Sequence, residues 1–346
     1  MKVTIKDVAK AAGVSFKTVS RVINNEPTVS APLQEKVRTA IKALDYRPNL
    51  SARQLRGAPA SIGFIYDNPN SNYVIDLQHG ILEECKDKGY ELVIHPCDST
   101  SSVIVSELSQ LVSDGRVAGL LLTPPLSEDA AVVRALLDAG IKFARIVSGA
   151  EAPDKFTPAV FVDDHYAAQK ICQHLIQLGH TRIAFLSGDP EHKSSGERLA
   201  GYESALQDSG LAIDARLIVD GKFEFESGVQ RSLRLLEQPD RPTAIFAAND
   251  EIAAGALFAA RMLDIVVPQD LSVAGFEDSP FSRQTWPRLT TARQPNKTIA
   301  RQAAALLIAA MHPATKSDVE AEDDVQQGFR PKLIIRDSTA TAPTVA

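Results

Sequence analysis

At 346 residues, 44% hydrophobic and 23% charged, the chain has the balance of a water-soluble protein of two or three compact units. The formal charge of −6 is uneven: residues 1–57 carry eleven Lys/Arg against four Asp/Glu, a net +7 that leaves −13 for the rest, so only the head suits a polyanion. Lys2, Lys6, Asp7 and Lys10 break any leader-like apolar run, no stretch suits a membrane span, and Cys85, Cys97 and Cys172 lack paired spacing, which excludes a disulfide scaffold or zinc module and points to the cytoplasm.

Ile5, Val8, Ala9 and Ala12 fall at helical spacing behind Thr4, a suitable N-cap, and Gly13 supplies a turn. Ser15 can cap a second helix with inner face Val19, Val22 and Ile23. A third follows Ser30, with Leu33, Val37, Ala40, Ile41 and Leu44 inward and Pro32 tolerable in its first turn. Each is too short to stand alone, but together they form one small core, as in a helix-turn-helix unit. Lys17 and Arg21, one turn apart on the second helix, can reach guanine O6 and N7 in a major groove, and Phe16 can pack on a thymine methyl. Thr18 and Ser20 suit phosphate oxygens, which fix register. Residues 46–55 alone read as a polar linker.

From residue 61 short apolar strands alternate with amphipathic helices. The strands are expected at 62–66, 91–96, 117–123, 143–147, 160–162, 182–186, 217–219, 244–247 and 271–274. Val74, Leu77, Ile81, Leu82 and Cys85 make one intervening helical face. The pattern is that of doubly wound parallel sheets, and nine strands suit two lobes with a cleft between them. Ligands of such sheets bind beyond the strand carboxyl ends. Those ends fall at 67–73, 123–127, 189–198, Phe223, Asn249, Asp250, Glu277 and Asp278. Planar hydrogen-bonding groups with aromatic faces suit a polyhydroxylated ring, and equally a nucleobase; Asn and Asp at such junctions also serve as ordinary helix caps. Residues 317–324 read as a solvated loop, and the Thr/Ala/Pro-rich end lacks leucine heptads.

Several segments carry a family resemblance. TIKDVAKAAGVS at 4–15, TVSRVIN at 18–24 and YRPNLSARQL at 46–55 closely resemble the head and hinge of LacI/GalR-family regulators. RLAGY at 198–202, ANDEIAAG at 248–255, GFED at 275–278, LTT at 289–291 and Gln294 resemble the sensor domain of that family. The resemblance implies an all-α helix-turn-helix domain at 1–46 and a hinge helix at 47–57. It also implies a two-lobed α/β periplasmic-binding-protein-like domain at 58–337, leaving 338–346 as a disordered tail. Double-stranded operator DNA is the expected partner of a homodimer, because a pseudo-palindrome mirrors a two-fold axis. DNA contacts are expected at Thr4, Ser15, Phe16, Lys17, Thr18, Ser20, Arg21 and Asn24. In the hinge they are expected at Asn49, Ala52, Arg53 and Leu55, with Leu55 as a minor-groove wedge. A small-molecule effector, a sugar in the first instance, is expected at Asn72, Tyr73, Ser194, Arg198, Phe223, Asn249, Glu277, Trp286 and Gln294. Relatives usually hold Asp where Glu277 stands, so the carboxylate here reaches ~1.5 Å further, one C–C bond. No cofactor is implied. A periplasmic binding protein shares the fold but not the basic head. A sugar-modifying enzyme is disfavoured because no phosphate loop, nucleophile elbow or metal-spaced His/Cys set occurs.

Overall fold

The computed structural model describes residues 4–23, 29–44, 61–67, 72–154, 156–312 and 326–343. The head is three helices, α1 (Ile5–Ala12), α2 (Phe16–Ile23) and α3 (Ala31–Ala43). Asp7 Oδ2 accepts from Thr4 N at 2.8 Å and from Thr4 Oγ1 at 2.6 Å, which fixes the start of α1. Gly13, at φ 65°, ends it in the left-handed region where a Cβ is disfavoured. Ser15 Oγ accepts from Thr18 N at 3.1 Å and so starts α2. Val8, Val19 and Val37 are fully buried where the helices meet.

The first lobe holds β1 (Ser61–Tyr66), α4 (Asn72–Lys88), β2 (Glu91–Pro96), α5 (Ile104–Ser113), β3 (Gly119–Leu122), α6 (Ala130–Asp138), β4 (Phe143–Ser148) and β5 (Ala159–Val162). The second holds α7 (Asp164–Gln177), β6 (Ile183–Leu186), α8 (Lys193–Asp208), β7 (Ile218–Val219), α9 (Phe225–Leu236), β8 (Ala244–Ala247), α10 (Asp250–Met262), β9 (Ser272–Ala274), the short α11 (Phe281–Gln284) and β10 (Thr291–Arg293). The chain then returns to the first lobe with α12 (Asn296–Met311) and β11 (Gln326–Phe329), and ends in the second with β12 (Lys332–Ile334).

Strand order is β11-β5-β4-β3-β1-β2 in the first sheet and β7-β6-β8-β9 in the second, every pairing parallel. Helices cover both faces, so β1, β3 and β8 are buried throughout and read as unbroken apolar runs. The chain therefore crosses between lobes three times, at Asp163, at Gln294–Pro295 and at Arg330–Pro331. Three strands lie outside the nine expected. Gln326–Phe329 has little apolar pattern, yet it pairs with β5, and Gly328 there is so close to Phe161 that a Cβ would sit 2.6 Å from the ring. The pair β10–β12 is antiparallel and only three residues long.

The end of the chain corrects another expectation. Residues 338–343, expected to be a disordered tail, are laid against the second lobe; 344–346 fall outside the described residues. Ser338 is fully buried. Its carbonyl accepts from Val273 N at 2.8 Å, and its Oγ accepts from Thr290 N at 2.9 Å. Ala342 N donates to Leu178 O at 2.8 Å. Small side chains let the backbone approach this closely, which composition alone cannot reveal. Removing 338–346 would strand the N–H groups of Val273 and Thr290, at roughly 1–3 kcal/mol each. A chain ending at Asp337 should melt several degrees below the full chain by circular dichroism; an equal melting temperature would refute the structural role of Ser338.

Candidate functional site

The carboxyl ends of both sheets open onto a cleft between the lobes. Tyr66 and Asp67 enter it after β1, Thr123 and Pro124 after β3, Ser148 at the end of β4 and Asp164 after β5. From the second lobe come His192, Ser194 and Arg198 after β6, Phe223 after β7, Asn249 after β8 and Glu277 after β9. Tyr73 on α4 and Gln294 at the second crossing complete the wall. Nearly every lining group thus sits where a parallel strand hands over to its helix.

Arg198 is the centre of this arrangement. Its Nε and Nη2 lie 2.9 and 2.8 Å from Asp164 Oδ1, and its Nη1 donates to the Ala248 carbonyl at 2.7 Å. The Phe276 ring lies 3.9 Å from the guanidinium carbon. Ser148 Oγ, from the other lobe, donates to Asp164 Oδ2 at 2.5 Å. One further group joins the lobes near this point, and another holds Ser148 from within the first lobe. Lys193 Nζ donates to the Ser148 carbonyl at 2.8 Å, and Glu128 accepts from Ser148 N at 2.6 Å. Burial pushes the Glu128 carboxyl up to about 7.

Phe223 is seated on Gly188, where a Cβ would lie 2.0 Å from the ring, so only glycine permits this position. The His192 ring meets Phe223 edge-on at 5.6 Å. Asn249 does cap a helix: its Oδ1 accepts from Ile252 N at 2.8 Å at the start of α10. It still faces the cleft. Glu277 has φ 100°, a left-handed-side conformation that is costly for a residue with a Cβ. Burial pushes its carboxyl up to about 8, against the attraction of Arg198. Asp250, behind it, is pushed to about 7 by burial despite hydrogen bonds from Thr291 Oγ1 at 2.6 Å and Ser279 N at 2.7 Å.

Tyr73, Ser194, Arg198, Phe223, Asn249, Glu277 and Gln294 are therefore brought together as expected positions of the wall. Two expectations fail. Asn72, the first residue of α4, does not line the cleft. Trp286 is 87% exposed and stands outside it, because Leu289, three residues on, turns inward to full burial and leaves the intervening loop on the surface. Asp164, Ser148, Glu128 and Gly188 were not singled out from the sequence as effector groups. Asp164 follows a strand end and the strand-end rule reaches it.

In the head, Phe16 is 52% exposed, and Lys17 and Arg21 are exposed on the side of α2 opposite the buried Val19. Thr4 and Ser15 spend their side-chain oxygens on the helix starts, Thr18 Oγ1 lies 2.9 Å from Ser15 Oγ, and Ser20 is half-buried. Asn24, Asn49, Ala52, Arg53 and Leu55 lie outside the described residues.

The family description "Bacterial regulatory proteins, lacI family" matches residues 4–49, and "Periplasmic binding protein-like domain" matches residues 172–339. The repressor PurR of Haemophilus influenzae (strain PittEE) is 34% identical over 344 residues, which cover 97% of this chain and 98% of PurR. This chain belongs to the LacI family. GalR of Escherichia coli (strain K12) is 33% identical over 341 residues, covering 98% of this chain and 96% of GalR. Among solved structures, a CelR–cellobiose complex superposes with a TM-score of 0.72 at 28% identity, covering 97% of this chain and all of that one. The lac repressor dimer bound to operator and an anti-inducer gives 0.69 at 27%, covering 98% and 100%. As a LacI-family member the chain is a DNA-binding transcriptional repressor and not an enzyme. Among the described residues no helix is long and apolar enough to cross a membrane, and no group of three or more metal-ligating side chains occurs.

The half-buried Glu277 carboxyl gives this LacI-family sensor a pH dependence of definite sign. An unfolded Glu loses its proton near 4.5, whereas the folded one holds it to about 8. The folded state binds more protons across that window, so this group's contribution falls as pH rises from about 4.5 to about 8. Glu277→Gln should match the parent near pH 4.5 and melt above it by pH 8, with about 2–4 °C for each kcal/mol recovered. Parallel melting curves across that range would show that Glu277 is not held neutral.

Proposed function

We propose that the protein represses transcription as a homodimer on a pseudo-palindromic operator and that a sugar in the interlobe cleft controls it. The carrying observation is the Phe223 ring, fixed against Gly188 in a cleft that Arg198, Asn249, Glu277 and Gln294 also line. An aromatic plane covers the C–H face of a pyranose or furanose, and planar hydrogen-bonding groups match its hydroxyls. The cellobiose complex of the CelR structure supports this reading. A nucleobase is the second reading, favoured by the PurR relatives and by Tyr66 and Tyr73 in the same cleft.

Control by the cleft follows from its contacts. Asp164 binds Ser148 of the other lobe, and Lys193 reaches the same residue, so a ligand touching both walls selects one arrangement of lobes. A shift in that arrangement is passed to the paired DNA-binding heads and changes operator affinity. Dimerisation is supported by exposed apolar side chains. Ile75 and Leu82 lie two turns apart on α4, with Val103 nearby in sequence, and Phe258 and Met262 lie one turn apart on α10.

In the head, Lys17 and Arg21 are proposed to read bases, with Phe16 packing beside them. Arg21→Ala should lose about 1–3 kcal/mol of discrimination between operator and random duplex in salt-matched binding assays. Equal loss on both duplexes would remove Arg21 from base reading. The effector class is tested by melting the full chain with hexoses, pentoses, disaccharides, nucleobases and nucleosides, because a bound ligand raises the melting temperature by mass action. A shift from sugars that Phe223→Ala abolishes is expected; a shift from nucleobases alone would transfer the assignment to the second reading.

A further inference from the structure

Among the charged side chains that line the cleft, acceptors outnumber donors. Asp67, Asp164 and Glu277 line it against one guanidinium, Arg198. That guanidinium is already committed to Asp164 Oδ1 at 2.8 and 2.9 Å and to the Ala248 carbonyl at 2.7 Å. Glu277 Oε1 has only a 4.0 Å approach from Arg198 Nη1. Asp67 takes a hydrogen bond from Ser99 Oγ at 2.6 Å, which adds no positive charge.

Gln294 points to what is missing. It is 8% exposed, lines the cleft, and its Oε1 has no hydrogen-bond partner. An unmatched buried acceptor costs about 1–3 kcal/mol, so the site is built for a ligand that donates there. Gln294 and Glu277 are also locked together, since Gln294 N donates to the Glu277 carbonyl at 3.3 Å. One unmatched acceptor, Gln294 Oε1, and one carboxyl without a close cation, Glu277, thus line the same cleft as Phe223.

We propose that the effector carries a protonated amine, seated between the Glu277 carboxylate and Gln294 Oε1, and that it is an amino sugar. The sugar part of this inference rests on the reading given above; the charge part rests on the acceptor excess. A charge-assisted N–H···O bond is about twice as strong as a neutral one, so the amine should outweigh a hydroxyl at the same carbon. A phosphate substituent would meet Asp67, Asp164 and Glu277 with the Arg198 guanidinium already engaged. Anionic sugars are therefore excluded from the same position.

A proton must leave when the amine binds. The groups that act on Glu277 are Arg198 of α8, Asp164 of α7, Asp250 and Glu251 of α10, and Tyr73 of α4, and burial with these carboxylates keeps its proton on in the empty cleft. An ammonium at hydrogen-bond distance favours the ionised form and expels that proton. The neutral hexose makes no such demand.

Matched trios test this with the full chain: glucose, glucosamine and glucose 6-phosphate, with the corresponding galactose and mannose sets. Calorimetry at about pH 6.5 in two buffers of different ionisation enthalpy gives affinity and proton count together. In at least one trio the amino member should bind about tenfold tighter than its parent hexose and release most of one proton per site. Glu277→Gln should erase both the preference and the release; the proton count in the unaltered chain stands as evidence even where that variant folds poorly. Tighter binding of the neutral or phosphorylated member in every responding trio, or amine binding without proton release, overturns the inference and leaves the sugar reading standing. No response from any trio overturns the inference alone, because the sugar reading is decided separately by the melting test with pentoses and disaccharides.

Discussion

The buried pair of Asp164 and Arg198 is the contact on which the rest of the cleft depends. Asp164 is the first residue of α7, placed immediately after the chain first crosses between lobes. Arg198 sits five residues into α8 and reaches back to it, then on to the carbonyl that ends β8. Three strand-to-helix junctions of one lobe are thereby held at fixed separation. Desolvating two charges is costly, and a pair of apolar side chains of the same size would often be as stable. What the pair supplies is geometry: the guanidinium plane fixes where Phe276 and Phe223 lie and where Glu277 is left without a close cation.

The same pair carries the connection between lobes. Asp164 Oδ2 is the acceptor for Ser148, whose backbone is gripped by Glu128 on its N–H and by Lys193 on its carbonyl. Lys193 opens α8, the helix that bears Arg198. A displacement of α8 by a ligand on Arg198 would therefore be felt at Ser148 through two routes, one side chain and one backbone carbonyl. The Asp164–Ser148 and Lys193–Ser148 contacts thus tie the wall of the cleft to both lobes.

Much of this was legible in the sequence, and what was not has physical causes. Thr4, Gly13 and Ser15 announce α1 and α2 because capping is local chemistry. The strand ends expose Phe223, Asn249 and Glu277 because a parallel sheet delivers its ligands there. The partnership of Asp164 with Arg198 spans 34 residues and depends on two helices lying side by side, which no periodicity encodes. Gly188 carries no signal in the sequence, and the ring of Phe223 above it explains it. Gln326–Phe329 lacks the apolar alternation of a strand because it adds at the edge of a sheet whose core is already closed. Trp286 misled because a large aromatic in a ligand-binding fold invites assignment to the ligand, while the inward turn of Leu289 decides its side.

The buried carboxyls raise a question of balance that the fold answers in part. Glu128, Asp250 and Glu277 all have their ionised forms disfavoured by burial, and none is paired at short range with a cation. Asp250 is accounted for structurally: it ties Thr291 of β10 to Ser279 beyond β9, and Gly275 leaves room for it, since a Cβ there would lie 2.3 Å from its oxygen. Glu128 is accounted for by its bond to Ser148. Glu277 has no such structural duty. It holds a strained backbone conformation and lines the cleft that the unmatched Gln294 oxygen also lines. Strain and unsatisfied polarity with no stabilising partner inside the chain suit a bound ligand. Of the buried carboxyls, Glu277 is therefore the one whose chemistry belongs to the ligand rather than to the fold.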